Sequence, residues 1–289
     1  MRTESEYADL VNQALEPQLK SLGNIPERLR EAMLYSLLAG GKRLRPVLLL
    51  AACEMAGGSA EEALPFACAL EMIHTYSLIH DDLPGMDNDD LRRGKPTSHK
   101  VFGEGMAILA GDGLLNGAME TVLAAALKMN DTRGLRAAEI LARHAGVTGM
   151  IAGQTLDVTM EGCAPTEDTV RYIHAHKTAD LIQAPMEMGL VLAGCEPERV
   201  EKGRNYGYHL GIAFQIMDDI MDVIGDAAVM GKNPGMDGSK MTWVALKGLD
   251  GARTDMEKEI SLAEHAIADP SWDAAFFVSL ARENLNRVS

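Results

Sequence analysis

Two dense runs of aspartate, each closing an apolar stretch of helical spacing, constrain this chain more than any other feature. The first reads Asp81-Asp82-Leu83-Pro84-Gly85-Met86-Asp87 and the second Asp218-Asp219-Ile220-Met221-Asp222. Carboxylates this close repel one another unless cations lie between them. Such oxygen donors select hard ions, and Mg²⁺ usually binds through one or two carboxylates together with substrate phosphates. Two clusters facing each other would hold a diphosphate through several magnesium ions. That arrangement suits chemistry in which pyrophosphate leaves.

The rest of the chain favours helices. Aromatics are few (4%) while Ala, Leu, Met and Glu are common, a composition that prefers helix to strand. Apolar residues recur at helical spacing over 29–38, 63–79, 105–129, 135–153, 169–193 and 207–223. Breakers such as Gly57-Gly58-Ser59, Pro84-Gly85, Gly94-Lys95-Pro96 and Gly231-Lys232-Asn233-Pro234-Gly235 fall between them. Thr166-Glu167-Asp168 is placed to cap the helix that follows. Pro185 lies inside a helical stretch and is expected to kink it. No repeat or linker divides the chain, so residues 1–289 read as a single all-α domain.

Charge and cysteine usage exclude other classes. The formal net charge of −15 argues against nucleic acid, whose backbone requires basic patches. Cys53, Cys68, Cys163 and Cys195 form no CxxC pair, which disfavours a zinc knuckle and fits a reduced, cytoplasmic chain. The polar, acidic start is unlike a signal peptide, and the longest apolar runs are too short to cross a bilayer. The 18 methionines read first as core filler. Met86, Met106, Met119, Met186 and Met217 are candidates for an adaptable apolar pocket.

The two clusters differ in geometry. Asp218 and Asp222 are i, i+4 and share a helix face, while Asp219 points elsewhere. Asp81 and Asp87 are six residues apart, and an unbroken helix would separate them. Pro84-Gly85 resolves this: the helix ends near Leu83 and the turn returns Asp87 to Asp81. An EF-hand calcium loop is excluded, because its alternating acids, sixth-position Gly and twelfth-position Glu are missing. Basic residues gather near the acids in Gly40-Gly41-Lys42-Arg43-Leu44-Arg45-Pro46 and Arg92-Arg93-Gly94-Lys95, and Lys177 and Lys232 stand alone. In so acidic a chain, that concentration points to bound anions. His174 and His176 face different sides of a helix and make no zinc site.

Several segments together resemble the trans-prenyltransferases, the polyprenyl diphosphate synthases. They are Gly40 to Pro46, Glu71 to Pro84, Asp90 to Thr97, Ala110-Gly111-Asp112, Gly153-Gln154, His176-Lys177-Thr178 and Phe214 to Asp219. The resemblance implies an antiparallel helical bundle of the isoprenoid synthase type, with the Asp runs facing across a central cavity. It implies a homodimer and dependence on magnesium, roughly three ions. Asp81, Asp82 and Asp87 would bind metal on one wall, and Asp218 and Asp222 on the other. Lys42, Arg45, His74 and Arg93 match the isopentenyl diphosphate site. Arg92, Lys177, Gln215 and Lys232 match the allylic diphosphate site, and Thr178 matches a residue near the nascent cation. No protein nucleophile is required.

Product length should depend on the wall above the first cluster. Tyr76 lies about 7.5 Å up the helix from Asp81, and Ser77 about one turn up on its face. An aromatic residue at Tyr76 with this Asp motif resembles bacterial farnesyl diphosphate synthases, which implies condensation from C5 through C10 to C15, giving (2E,6E)-farnesyl diphosphate. Geranylgeranyl and geranyl diphosphate synthases of the same family are alternatives. A non-catalytic regulatory subunit is the alternative of another class, but such a subunit should lose metal ligands. A terpene cyclase would lack a second diphosphate to hold. The resemblance loosens at Asp237 to Val244, which is shorter than the family's pattern and lacks its Tyr-Pro, placing the role of Lys240 in question. Arg287 is a weak candidate for a basic tail.

Overall fold

Several helices start on side-chain caps. The structure, a computed structural model, describes residues 1–224 and 242–285. Lys232, Asp237, Lys240 and Arg287 lie outside the described residues. Helix α1 (Glu4–Lys20) opens with a capping box, in which Thr3 N–H donates to Glu6 (2.7 Å) and Glu6 N–H to the Thr3 hydroxyl (3.3 Å). After α2 (Glu27–Leu37) and α3 (Leu44–Met55), helix α4 (Ala60–Asp81) starts on the Ser59 hydroxyl. The expected Thr166 cap is present: its hydroxyl accepts from Thr169 N–H at the head of α9 (Glu167–Ile173).

The fold is all-α apart from one two-residue β pair, Leu91–Arg92 with Lys95–Pro96, among the described residues. The remaining helices are α5 (Ser98–Phe102), α6 (Glu104–Ala126), α7 (Arg133–Ala145), α8 (Met150–Thr159), α10 (Asp180–Leu192), α11 (Pro197–Ile224), α12 (Trp243–Ile267) and α13 (Ala275–Leu285). Helices α3, α4 and α10 are buried nearly all round and form the centre. Around them, α1, α2 and α6 pack on α4, α7 packs on α10, and α11 joins α10 to α12. Among the described residues no helix is long and apolar enough to cross a membrane. Of the methionines considered for a pocket, Met186 and Met217 are core, Met106 and Met119 pack against it, and Met86 is exposed.

One expectation about helix continuity is corrected. The apolar pattern over 135–153 is two helices, α7 and α8, because Gly146 and Gly149 leave helical geometry (ψ −166° and −122°). Apolar side chains continue across the break, so periodicity alone does not register it. Pro185 lies inside α10, and a π-helical segment, His174–Ala179, directly precedes that helix.

A buried ion pair joins the elements ahead of the centre. Arg43, in left-handed conformation (φ 53°), donates to Glu71 on α4 (2.6 Å), to the Leu37 carbonyl (2.9 Å) and to Asn12 on α1 (2.9 Å). Both charged side chains are only 2% exposed. Removing one partner leaves an uncompensated buried charge. Glu71→Ala should therefore lower the unfolding free energy by about 3 kcal/mol in urea titrations, and a loss under about 1 kcal/mol would contradict this.

Candidate active site

The first aspartate run is split by its turn. Helix α4 ends at Asp81, two residues before the expected Leu83. Met86 and Asn88 N–H groups then donate to the Leu83 carbonyl, and Asp87 N–H donates to the Asp81 carbonyl at 2.8 Å. The Pro-Gly turn thus returns Asp87 to Asp81, as the spacing suggested. Burial pushes the Asp81 carboxyl up to about 6, Lys177 opposes that shift, and Asp87 adds to it. Gln154 on α8 donates to Asp81 at 3.0 Å. Asp82 turns instead to Arg92, which donates to it through Nε (2.9 Å) and Nη2 and also reaches Asp89 (3.1 Å). Burial raises Asp82 against the pull of Arg92.

The second run also divides its labour. On α11, Asp218 is exposed, while Asp219 and Asp222 are buried. Asp219 accepts from Trp243 N–H (2.6 Å) and from Gln215 (3.3 Å), and lies 3.2 Å from His174. It therefore ties α11 to the start of α12 and to the π segment. His176 pairs with a different carboxylate, Asp180, at 2.8 Å.

The π segment carries two more expected residues, Lys177 and Thr178. Lys177 Nζ donates to Asp157 on α8 (2.5 Å), and the Thr178 hydroxyl donates to Gln215 on α11 (2.6 Å). Gly153 and Gly211 permit this approach: an added methyl at Gly153 would strike the Lys177 backbone, and one at Gly211 would strike Ala179. The contacts run from Asp81 to Gln154 and from Asp157 to Lys177, both steps through α8. They continue from Thr178 to Gln215, one turn from Asp218. Asp157 was not among the residues singled out from sequence. Its only signal was its i+3 relation to Gln154, on one helix face.

A cationic group completes the surroundings. Arg45 Nη1 lies 3.4 Å from His74 Nε2. Burial, reinforced by Arg45, Arg93 and Arg92, holds His74 well below the usual imidazole range, so it is neutral and accepts from Arg45. Burial lowers Arg45 to about 10, against the opposing charges of Glu71 and Asp218. Asp218 of the second run thus acts on an arginine that touches α4 above the first run. Arg45 Nε is buried without a hydrogen-bond partner among the described residues. Arg93 donates to the Gly40 carbonyl, and Lys42 is exposed on that same loop.

Tyr76 is buried, its ring edge-on to His80 (5.7 Å, 78°), and its hydroxyl has no hydrogen-bond partner among the described residues. Burial and the Asp81 charge push that phenol up to about 12. Ser77 turns its hydroxyl back to the His74 carbonyl (3.0 Å).

Among the described residues no three His, Cys, Asp or Glu side chains form a ready metal cage. The donor set still fits a hard divalent cation, since an ion shared with phosphate needs only one or two carboxylates. Asp81 also has a charge that the fold alone does not stabilise. Its raised carboxyl costs stability above about pH 6, and that cost disappears as pH falls toward about 4. In chelator at pH 8, Asp81→Asn should therefore melt above wild type, with the gap closing as pH falls. An equal or lower melting temperature at pH 8 would contradict this.

The chain is similar to known proteins over most of its length. A family profile described as polyprenyl synthetase matches residues 26–270. The farnesyl diphosphate synthase of Geobacillus stearothermophilus is 45% identical over 278 residues, covering 94% of this chain and 92% of that protein. A chloroplastic geranylgeranyl pyrophosphate synthase of Catharanthus roseus is 46% identical over 279 residues, covering 95% and 77%. A geranyltransferase from Helicobacter pylori, solved with magnesium and isoprenyl diphosphate, superposes with a TM-score of 0.82 at 34% identity, covering 98% of this chain and 95% of that one. With its helical frame, its two aspartate runs and these matches, the chain belongs to the polyprenyl synthetase family of prenyltransferases.

Proposed function

We propose that the protein condenses isopentenyl diphosphate with dimethylallyl and then geranyl diphosphate, ending at (2E,6E)-farnesyl diphosphate. The observation that carries the reading is the chain of contacts from Asp81 through α8 and the π segment to Gln215, beside Asp218. Asp81, Asp87, Asp218 and Asp222 would hold Mg²⁺ against the diphosphates, with Asp82 contributing from its bridge to Arg92. When bound, Mg²⁺ supplies positive charge that stabilises departing pyrophosphate.

The chain's own groups account for the remaining work. Lys177, Arg92 and Lys232 hold the allylic diphosphate, and their charge favours breaking its C–O bond. Gln215 and the Thr178 hydroxyl orient their dipoles beside the allylic cation. Lys42, Arg45, His74 and Arg93 hold isopentenyl diphosphate so that its double bond attacks that cation. The buried walls keep water from quenching it. The departing pyrophosphate takes the proton that is lost, so no protein nucleophile is used.

The C15 end-point rests on Tyr76. Relatives named for farnesyl and geranylgeranyl products match at 45% and 46%, so identity does not separate the two. The buried Tyr76 ring, above Asp81 and backed by His80, supports a floor that stops a longer tail. Exposed Ile108, Leu109, Leu123 and Leu127 on and just beyond α6 support a homodimer, because apolar surface of this kind favours association.

Incubation with both C5 diphosphates and Mg²⁺ should give mainly C15 product, and chelation should abolish turnover. A C20 main product from wild type would overturn the role of Tyr76. Tyr76→Ala should shift the main product to C20 or longer by chromatography of the dephosphorylated alcohols. An unchanged C15 product would place the floor elsewhere.

A further inference from the structure

Beside the π segment lies a cluster of buried charges that the proposed chemistry does not use. His144 on α7 is 3% exposed and sits between two carboxylates of α10. Its Nδ1 is 2.6 Å from Asp180 Oδ1, and its Nε2 is 2.7 Å from Glu187 Oε1. The second oxygen of Asp180 takes His176 Nδ1 of the π segment at 2.8 Å. Asp180 directly follows that segment and is two residues from Thr178. It is therefore held from outside by α7 and from inside by the segment itself.

An ionised carboxylate only accepts hydrogen bonds, and a neutral imidazole carries one N–H. With both carboxylates ionised, the two short contacts use both ring nitrogens as donors, and Arg143 Nη1 lies 3.4 Å from the same Nε2. The electrostatics agree. Burial works against the charge, but the bonds to Asp180 and Glu187 outweigh it and raise His144 above the usual imidazole range, while His144 in turn lowers Glu187. The other charged neighbours are Arg143, whose Nη2 reaches Glu187 at 3.1 Å, Glu139 on Arg143 at 3.4 Å, Arg204 of α11 acting on Glu187, and His176 on Asp180.

π-helical geometry is weaker than α and needs support from its surroundings. Gly153 and Gly211 bound the segment sterically on two sides. The His144 cluster provides a polar hold from α7. We propose that His144 is a positioning residue: by bridging Asp180 and Glu187 it fixes the π segment from which Lys177 and Thr178 reach the allylic diphosphate. This rests on the reading of Lys177 and Thr178 given above. The charged bridge is complete below the usual imidazole range and is lost as pH rises through the raised value for His144. Turnover should then carry an alkaline limb that belongs to a residue outside the cavity.

The test uses the full-length protein with Mg²⁺ and both C5 diphosphates. His144→Gln should lower kcat by on the order of tenfold, as misplacement of reacting groups does, with KM for isopentenyl diphosphate and product length unchanged. The alkaline limb of kcat should vanish in this variant. In wild type, ¹⁵N NMR of the His144 ring should show it doubly protonated at pH 7, losing its proton along that limb. A folded His144→Gln protein with wild-type kcat, or one that keeps the limb, would overturn the proposal. Should His144→Gln fail to fold, His176→Gln cuts the same link nearer the surface, and an unchanged kcat there would overturn it. Amide exchange over residues 174–179 separates this idea from the proposed function. Faster exchange in His144→Gln supports positioning even where wild type turns over no prenyl substrate, and unchanged exchange refutes it.

Discussion

The burial of carboxylate charge at the end of α4 is the constraint around which this molecule is arranged. Asp81 sits where desolvation opposes its ionisation and Asp87 adds like charge, and Lys177 offers partial relief. A bundle this apolar gains nothing in stability from such a group. The cost is consistent with a site that is completed by something the polypeptide does not provide, in the way perturbed acids cluster at functional positions.

Neighbouring elements are built to tolerate that constraint. Asp82 is answered by Arg92 and Asp219 by the Trp243 backbone, so one member of each aspartate run serves the scaffold. Division of this kind follows from helix geometry. Adjacent carboxylates on a helix point about 100° apart, so the two members of a pair meet different surroundings. The second aspartate of each run therefore ties the helix that presents the first.

Much of this was legible in the chain. The Pro84-Gly85 turn required Asp87 to return, and a backbone hydrogen bond to Asp81 closes it. The turn of Asp219 away from Asp218 followed from their adjacency on one helix, and Thr166 announced its helix by capping chemistry. The break at 146–149 was not legible, because apolar residues continue through it. The π segment was not legible, because a one-residue bulge leaves no compositional mark. The His144, Asp180 and Glu187 cluster joins residues 36 and 43 positions apart, a tertiary pairing that no local pattern reports. Polar residues at 144, 180 and 187 on otherwise apolar faces were the one available hint.

The central claim is that Asp81 and Asp218 act on one diphosphate from opposite walls. A crystal structure with Mg²⁺ and a non-ionisable allylic thiolodiphosphate tests it most directly. The account predicts metal ions joining the diphosphate to Asp81 and Asp87 on one side and to Asp218 on the other, with Lys177 on its oxygens. A diphosphate bound at one run alone, or held without metal away from both, would contradict it.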